Sequence, residues 1–351
     1  MNRRPPRNGE RQVKIQNTLL VDGNAVFKAG YFGAKDLYNV HGQHIGGVFA
    51  FLTILRKIIT DDIYHKVYVF WDGDFSGKLR YDIYSQYKID RGKDYENGTK
   101  PIDESELLQR EVVWDYLNEM YIRQLKHEVV ESDDFIAYYC LNRKENEKIT
   151  ILSTDRDFLQ LLSPMVKIYF VDLKEYIDTT NYFSYFCYHQ GNSVLVKTML
   201  GDNSDSIKGI QGLGETTLVK LFPEIKERVL TINEIIDKAK EQQQERISKK
   251  QKPLKVLDNI VNKVTIGVQK ESIYEINHRL VNLSEPFITD DAVNELERLI
   301  DGTLESSGRE LKNVFTMMKR DGIDKALGDY RYSEFLIPFK KLIDREKNFN
   351  Q

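Results

Sequence analysis

Short apolar runs that end at or near an aspartate recur along the first half of the chain. Residues 18–22 read Thr-Leu-Leu-Val-Asp, residues 66–72 read Lys-Val-Tyr-Val-Phe-Trp-Asp, and residues 148–155 carry Ile-Thr-Ile-Leu ahead of Asp155. A fourth apolar run covers residues 166–171. Continuous apolar runs of this length are typical of strands that are buried on both faces. The pattern therefore predicts four buried strands.

Between these runs, apolar positions recur with the period of an α-helix. Residues 46–59 carry a continuous apolar face, and residues 104–126 carry Val113, Leu117 and Met120 at helical spacing. Strands that alternate with helices usually form a mostly parallel sheet with helices on both faces. The predicted fold class is therefore α/β, with a mostly parallel central sheet flanked by helices.

Three of the predicted strands bring an aspartate to the same edge of that sheet. Ligands of open parallel sheets bind beyond the carboxyl ends of the strands. Asp22, Asp72 and Asp155 all lie at carboxyl ends, so we expect them to project into one crevice. One aspartate after a strand is a common turn residue. Three of them favour a shared site.

Residues 129–139 place three more carboxylates within four positions, at Glu131, Asp133 and Asp134, between an apolar pair and an apolar run. A helix that begins near Ser132 would help to keep them ionised through its dipole, by roughly 0.3–1 kcal/mol each. Carboxylates packed this closely need a cation among them, and oxygen-only ligands suit Mg²⁺ or Mn²⁺ better than zinc. The alternative is an ordinary acidic first turn of an exposed helix.

The segment 74–100 is rich in tyrosine and in basic residues and has few aliphatic ones, so we expect it to lie outside the core. If it is helical, Lys88 and Arg91 share a face that tyrosines flank. Cations neutralise phosphates and aromatic rings stack on bases, which favours contact with a nucleic acid over a solvated surface helix. The residues predicted to touch it are Arg80, Tyr84, Tyr87, Lys88, Arg91 and Lys93.

Further along, Asp202 and Asp205 lie three positions apart, just before a glycine-rich turn. Gly209, Gly212 and Gly214 predict a tight hairpin whose following helix begins near Glu215. Backbone N–H groups at such a turn can bind a phosphate without reading bases. The spacing is G-x-x-G-x-G, which differs from that of a dinucleotide site.

Composition narrows the class of protein. The 351 residues suggest two domains, or one large domain with an appendage, and 41% hydrophobic with 30% charged residues is typical of a soluble chain. No apolar run spans a membrane and no signal core follows the basic N-terminus, so we expect a cytoplasmic protein. Cys140 and Cys187 are expected to be reduced, buried thiols. The net charge of −3 means that nucleic-acid binding depends on local basic patches.

Together these motifs resemble the 5′ nuclease, or flap endonuclease, superfamily, over about residues 17–225. The superfamily includes the 5′-exonuclease domain of bacterial DNA polymerase I and bacteriophage 5′ nucleases of the phage RNase H type. The resemblance depends on six motifs in the family's order: Leu-Val-Asp22-Gly, Phe-Trp-Asp72-Gly, Arg80 with Tyr87-Lys88-x-x-Arg91, Glu131-x-Asp133-Asp134, Ser-Thr-Asp155-x-Asp157, and Gly-Asp202-x-x-Asp205 followed by Gly-Ile-x-Gly-Leu-Gly.

The resemblance implies a division of the carboxylates between two Mg²⁺ ions, with Mn²⁺ as a substitute. Asp22, Asp72, Glu131, Asp133 and Asp134 would surround the first ion, and Asp155, Asp157, Asp202 and Asp205 the second. Lys88 and Arg91 would lie on a helical arch over the site and contact the scissile phosphate. A helix–hairpin–helix around Gly209–Gly214 would hold the duplex, with a possible K⁺ ion.

The resemblance also implies a domain plan and a function. The plan is a PIN/5′-nuclease-like catalytic domain at 17–190 that includes the arch at 74–100, and a helix–hairpin–helix region at 191–351. The basic residues of 1–16 predict an N-terminal arm before it, and the helical patterning of 271–351 predicts a helical extension within the last region. The expected activity is two-metal 5′→3′ exonuclease and flap endonuclease cleavage of DNA and RNA primers in replication or repair. Branched or nicked DNA, RNA–DNA primer junctions and a replication protein bound by the C-terminal tail are the expected partners of a monomer.

One departure from the family affects the duplex site. Thr216 and Thr217 stand where the family usually has a lysine or arginine after the hairpin glycines, so Lys220 is the expected substitute. Two other readings remain open on the residues alone. One is a PIN-type ribonuclease, which shares the acidic crevice, and the other is a structure-binding protein without catalytic activity.

Overall fold

A six-stranded sheet forms the centre of the computed structural model, which describes residues 14–92, 103–262, 265–266, 271–302, 311–327 and 332–349. Its strands are β1 (Gln16–Asp22), β2 (Lys66–Asp72), β3 (Arg123–His127), β4 (Glu147–Ser153), β5 (Val166–Phe170) and β6 (Glu175–Ile177). They lie in the order β3-β2-β1-β4-β5-β6. The first five are parallel, and β6 pairs antiparallel with β5. The predicted mostly parallel sheet is confirmed.

Helices and four very short strands make up the rest of the regular structure in the described part of the chain. The helices that precede β6 are α1 (Gly23–Gly33), α2 (Gly46–Asp61), α3 (Lys78–Tyr81), α4 (Glu104–Glu119) and α5 (Ser132–Leu141). After β6 come α6 (Ser193–Leu200), β7 (Gly201–Asp202), β8 (Ile207–Lys208), α7 (Glu215–Leu221), α8 (Ile232–Ser248), α9 (Lys255–Val261), β9 (Thr265–Ile266), β10 (Glu271–Ser272), α10 (Ile273–Val281), α11 (Asp290–Asp301), α12 (Leu311–Arg320), α13 (Ile323–Ala326) and α14 (Tyr332–Phe349).

The four predicted strands are present, and one helix prediction is wrong at its end. The helix predicted over 104–126 stops at Glu119, and Tyr121 adopts a left-handed backbone with φ of 59°. Residues 123–127 form β3 instead. This strand lies at the edge of the sheet, where only Leu125 and His127 are buried, so its composition is too polar for an apolar run to reveal it.

Apolar side chains cover both faces of the sheet. On one face, Phe51 and Leu55 of α2 pack with Trp71 of β2. On the other, Phe70 of β2 stacks on Phe135 of α5, with ring centroids 5.7 Å apart. The second core continues without a break into α6, α7 and α8. The predicted domain boundary at 190 therefore does not interrupt the packing, and that division stays a prediction.

The last helix, α14, is attached to α2 by an arginine that binds carbonyls beside a proline. Pro338 lies inside α14 and has no N–H to give to the carbonyl of Glu334. Arg56 of α2 donates to this carbonyl at 3.3 Å and to the carbonyl of Phe335 at 3.1 Å. The guanidinium thus satisfies acceptors near the proline and fixes α14 against α2.

The basic segment differs from the prediction. Tyr84 and Tyr87 are buried with Ile276 and Leu280 of α10, so the expectation that this segment lies outside the core is wrong for both tyrosines. Lys88 has a φ of 55°, so no helix runs through it, and only residues 89–91 form a 3₁₀ turn. Residues 93–100, with Lys93, and residues 1–13 of the predicted arm lie outside the described residues.

Two further expectations are resolved in the described part of the chain. Both cysteines are free, but only Cys140 is buried, and Cys187 is exposed. The expectation of two buried thiols is therefore wrong for Cys187. No described helix combines the length and the apolarity that crossing a membrane requires.

Candidate metal centre

The N-terminus of α5 brings two of the strand-end aspartates together. Asp22 ends β1 and Asp72 ends β2, on neighbouring parallel strands. The backbone N–H of Ser132 donates to Asp72 Oδ1 at 2.9 Å, and its hydroxyl lies 3.3 Å from Asp22 Oδ1. Gly23, the residue after Asp22, allows the backbone to pack closely against Trp71 of β2, because a Cβ there would lie 2.6 Å from the Trp71 ring. The helix begins where sequence reasoning expected it.

A serine at the end of β4 adds the third strand-end aspartate. Ser153 Oγ donates to Asp22 Oδ2 at 2.9 Å and accepts from the backbone N–H of Asp155 at 3.0 Å. Asp155 in turn accepts from the N–H of Asp157 at 2.8 Å, which turns the chain into a 3₁₀ helix. Asp22, Asp155 and Asp157 are therefore connected through three hydrogen bonds, two of which involve Ser153.

Glu131, Asp133 and Asp134 form the one group of three potential metal-ligating side chains found within 4.8 Å of one another among the described residues. Arg80 lies against this group and is 2% exposed. Its guanidinium contacts Asp134 at 2.6 and 2.9 Å and Glu131 at 2.6 Å, and its Nε donates to the carbonyl of Leu280 at 2.9 Å. Asp134 also accepts from the N–H of Phe287 at 2.8 Å. Asp134 is thus fully engaged with protein donors.

Two further cations lie between this group and the turn that follows β7. The Lys88 ammonium pairs with Glu131, and Arg91 Nη2 lies 2.9 Å from Asp205 Oδ1. The Tyr87 hydroxyl lies 3.1 Å from Glu131 and 3.4 Å from Asp205, so it connects the two carboxylates. Glu131 and Asp205 therefore contact side chains of the same short segment, residues 87–91.

Lys197 of α6 joins the remaining pair of carboxylates. Its ammonium lies 2.7 Å from Asp157 Oδ1 and 2.5 Å from Asp202 Oδ2. Asp202 also caps the turn after β7 through Ser204. Asp157 Oδ1 is buried, and its partner among the described residues is the Lys197 ammonium. All nine predicted carboxylates consequently lie in one connected region.

The carboxylates outnumber their basic partners. Nine carboxylates against four cations leave an excess of five negative charges when all nine are ionised. Among the described residues, no basic side chain pairs with Asp22 or Asp72. Burial, and then the charge of Asp72, raise the pKa of Asp22 to about 7. Burial and the neighbouring Asp155 raise the pKa of Asp157 to about 7 in spite of Lys197.

At two of the carboxylates that contact a cation, Glu131 and Asp202, the pKa shift has the opposite sign. Burial alone would raise the pKa of Glu131, but Lys88 and Arg80 lower it to about 2. Lys197 likewise lowers the pKa of Asp202 to about 2 against the effect of burial. Buried carboxylates without a cation protonate instead of remaining charged. Asp22 thus marks a place where positive charge is missing, and at Asp157 the charge of Lys197 does not offset burial and the neighbouring Asp155.

The donor set fits divalent metal ions. All nine candidate ligands offer oxygen, which hard cations such as Mg²⁺ and Mn²⁺ prefer. Asp22 can accept a metal cation without losing an ion pair, and Asp157 can accept one in place of its ion pair with Lys197. The region therefore has both the ligand chemistry and the charge deficit of a metal centre.

The residues predicted to bind nucleic acid are less uniform in their placement. Gly209, Gly212 and Gly214 form the turn before α7, which begins at Glu215 as predicted, and Lys220 is exposed on α7. Arg80, Tyr84 and Tyr87 are buried, which leaves them no free face for a base or phosphate in this structure. Their contact with a nucleic acid stays a prediction.

Sequence reasoning missed three residues of this region. Lys197 was not predicted because nothing in a lysine on a helix indicates which carboxylates it meets. Ser132 and Ser153 were within the quoted motifs, but their hydroxyls had no assigned role. Only their place in the sequence could have indicated a role for these two serines, because each lies one or two residues from a predicted metal ligand.

Comparisons with known proteins give consistent matches. The family described as "5′-3′ exonuclease, N-terminal resolvase-like domain" matches residues 17–186. A 5′-3′ exonuclease of Halalkalibacterium halodurans is 30% identical over 215 residues, which cover 58% of this chain and 68% of that protein. DNA polymerase I of Geobacillus stearothermophilus is 30% identical over 229 residues, which cover 62% of this chain and 25% of the polymerase.

The chain thus spans about a quarter of the length of such polymerases. Among solved structures, the T5 5′-exonuclease with bound divalent zinc ions has a TM-score of 0.59 at 16% identity, covering 88% of this chain and 100% of that one. At that identity the likeness shows a shared fold.

Proposed function

The chain belongs to the 5′-3′ exonuclease family, within the 5′ nuclease superfamily, and on that premise we propose that it is a divalent-metal-dependent nuclease. It hydrolyses phosphodiester bonds near the 5′ end of a strand at flaps, nicks or junctions of DNA, including 5′ ends made of primer RNA. The observation that carries the proposal is the convergence of nine carboxylates from separate elements on one region with too little positive charge.

We assign the carboxylates to two ion positions. Those nearest α5, namely Asp22, Asp72, Glu131, Asp133 and Asp134, surround the first, and Asp155, Asp157, Asp202 and Asp205 surround the second. These carboxylates would hold two Mg²⁺ ions, with Mn²⁺ as a substitute, and the chemistry supplied there would be activation of a water molecule and stabilisation of the leaving 3′-oxygen. Asp134 acts indirectly, because Arg80 and the N–H of Phe287 occupy its oxygens and orient the cluster.

The basic side chains beside the carboxylates supply the phosphate contacts. Lys88 and Arg91 lie within contact distance of Glu131 and Asp205, so a phosphate brought to those carboxylates meets both cations. Cations placed where charge develops stabilise the transition state. The reaction requires no covalent nucleophile, since a water molecule attacks the phosphorus.

The duplex would be held away from the cut. The turn at Gly209–Gly214 and the exposed Lys220 offer backbone N–H groups and a cation to one strand, in a helix–hairpin–helix that can accept K⁺. The proposal includes a soluble monomer in the cytoplasm, or in the host's cytoplasm if a phage encodes it, and a replication partner at the C-terminal tail.

The direct test uses one labelled 5′-flap DNA with matched nicked and RNA-primed duplexes. With Mg²⁺, short fragments that carry a 5′-phosphate should appear, and EDTA should abolish them. Cleavage of single-stranded RNA without cleavage of any DNA junction would favour a PIN-type ribonuclease. Binding of the flap without cleavage of any substrate would favour a structure-binding protein and would refute the proposal.

A further inference from the structure

A short basic turn, residues 87–92, lies directly on the turn that carries Asp205. The N–H of Lys88 donates to the carbonyl of Asp205 at 2.8 Å, and the N–H of Asp90 donates to Ser206 Oγ at 3.2 Å. Arg91 Nε donates to the carbonyl of Ser204 at 2.5 Å. Three hydrogen bonds therefore attach the basic turn to residues 204–206.

The side chains of the basic turn occupy carboxylates of the proposed metal centre. Glu131 Oε1 receives the Lys88 ammonium, Oε2 receives Arg80, and the Tyr87 hydroxyl contacts both oxygens. Glu131 is 2% exposed, so no water-facing side of the carboxylate remains. Asp205 is paired with Arg91 in the same way. Glu131 cannot bind an ion directly unless one of its three donors leaves.

Lys88 is the donor that can leave. Arg80 is held by two contacts to Asp134 and one to the Leu280 carbonyl besides Glu131, and a planar guanidinium with four such contacts has no alternative position in the core. The Tyr87 ring is buried against α10. Lys88 has a flexible stem, and its side chain is already 13% exposed. When its ammonium moves into water, the buried Glu131 keeps Arg80 as its cation.

We propose that the basic turn is a latch that divalent ions release. In the metal-free protein, Lys88 and Arg91 neutralise Glu131 and Asp205 and hold residues 87–92 on residues 204–206. When the carboxylates take divalent ions, Lys88 and Arg91 lose their partners, the turn detaches, and both cations become available to a substrate phosphate. The proposal rests on the proposed metal centre, and it adds an order of events in which ion binding precedes exposure of the phosphate-binding cations.

Hydrogen exchange of the full-length protein without DNA tests the latch. The amides of Lys88 and Asp90 should exchange slowly in EDTA and about tenfold faster at saturating Mg²⁺, while amides in the middle of α5 keep their rates. Calorimetry of the same samples reports whether ions bind. Ion binding without faster exchange would overturn the latch and leave the nuclease proposal intact. Absence of ion binding would overturn both.

Variants separate the latch from general damage. Lys88→Met should give fast exchange at Asp90 already in EDTA, and it should bind Mn²⁺ about tenfold more tightly because the internal competitor is gone. Lys78→Met is the matched control. Among the described residues the Lys78 ammonium pairs with Asp82 and lies over the Tyr81 ring, both in the same segment, so the substitution should change neither quantity. Weaker Mn²⁺ binding by Lys88→Met would contradict the competition between Lys88 and the ion.

Ser206→Ala tests the backbone attachment alone. It removes the acceptor of the Asp90 N–H without touching a carboxylate. Exchange at Asp90 should rise in EDTA, and Mn²⁺ affinity should stay within about twofold of the wild type. Unchanged exchange at Asp90 would show that the basic turn does not dock on residues 204–206 in solution.

Discussion

Replacing Asp22 by asparagine should make the metal-free protein more stable. The side chain is 6% exposed and has no basic partner among the described residues. Burial and Asp72 raise its pKa from 3.8 to about 7. The Ala25 N–H donates to Asp22 Oδ1 at 3.1 Å in the wild-type protein, and the side-chain oxygen of asparagine can accept the same hydrogen bond. The amide nitrogen of asparagine can donate to Ser153 Oγ. The substitution therefore removes the charge and retains the local hydrogen bonds.

The size and sign of the effect follow from linkage. The rise in the pKa of Asp22 from 3.8 to about 7 corresponds to about 4 kcal/mol at most. The folded state disfavours the ionised form, so Asp22 costs nothing below about pH 4. The cost then grows as the pH rises from about 4 to 7, and it stays constant above 7. Asp22→Asn should therefore stabilise most at pH 8, and the gain should vanish towards pH 4.

Urea unfolding in EDTA at pH 8 and pH 5 measures this effect. The expected result is a higher midpoint for Asp22→Asn at pH 8 and a smaller gain at pH 5. Asp178→Asn is the control of opposite sign, because hydrogen bonds from Thr180 lower the pKa of Asp178 and favour its charge. A lower stability of Asp22→Asn than of the wild type at pH 8 would refute the reasoning that the ionised Asp22 destabilises the metal-free protein.

Three further predictions concern individual contacts. Arg80→Met should lower the free energy of unfolding in EDTA by about 3–5 kcal/mol, because it leaves buried carboxylates without their partner. Arg228→Met, which breaks an exposed ion pair, should lower it by about 0–1 kcal/mol. Equal losses for the two variants in urea unfolding would contradict this prediction. Asp155→Ala should abolish cleavage of a 5′-flap and leave flap binding in a gel-shift assay largely intact, and a wild-type rate would remove Asp155 from the centre. Gly23→Ala should cost about 1–3 kcal/mol, since its Cβ would lie 2.6 Å from the Trp71 ring; an unchanged thermal midpoint would show that the ring can move.

The sheet and the identity of the carboxylates could be predicted because both depend on local pattern. Apolar runs predict strands that are buried on both faces, as in β1 and β4. Because parallel strands end at the same edge of the sheet, an aspartate that follows such a run must lie at that edge. The edge strand β3 escaped detection because its exposed positions are polar. A buried central strand has a stronger signal than an edge strand, since its composition is set by two packed faces.

The partners of the carboxylates could not be predicted, because they are fixed by contacts far apart in sequence. Arg80 was expected at a DNA surface, but the Leu280 carbonyl, 200 residues away, and Asp134 hold it inside. Tyr87 is buried by α10 for the same reason. Basic and aromatic residues indicate an anion-binding function equally well whether the anion is a phosphate or a neighbouring carboxylate.

The most direct test of the account is an anomalous difference map from crystals of the protein soaked in Mn²⁺. The account predicts two peaks about 3.5–4 Å apart, both within coordination distance of the carboxylates that end β1, β2 and β4 and begin α5. A map with peaks only at surface carboxylates, or with none among Asp22, Glu131, Asp155 and Asp202, would contradict it.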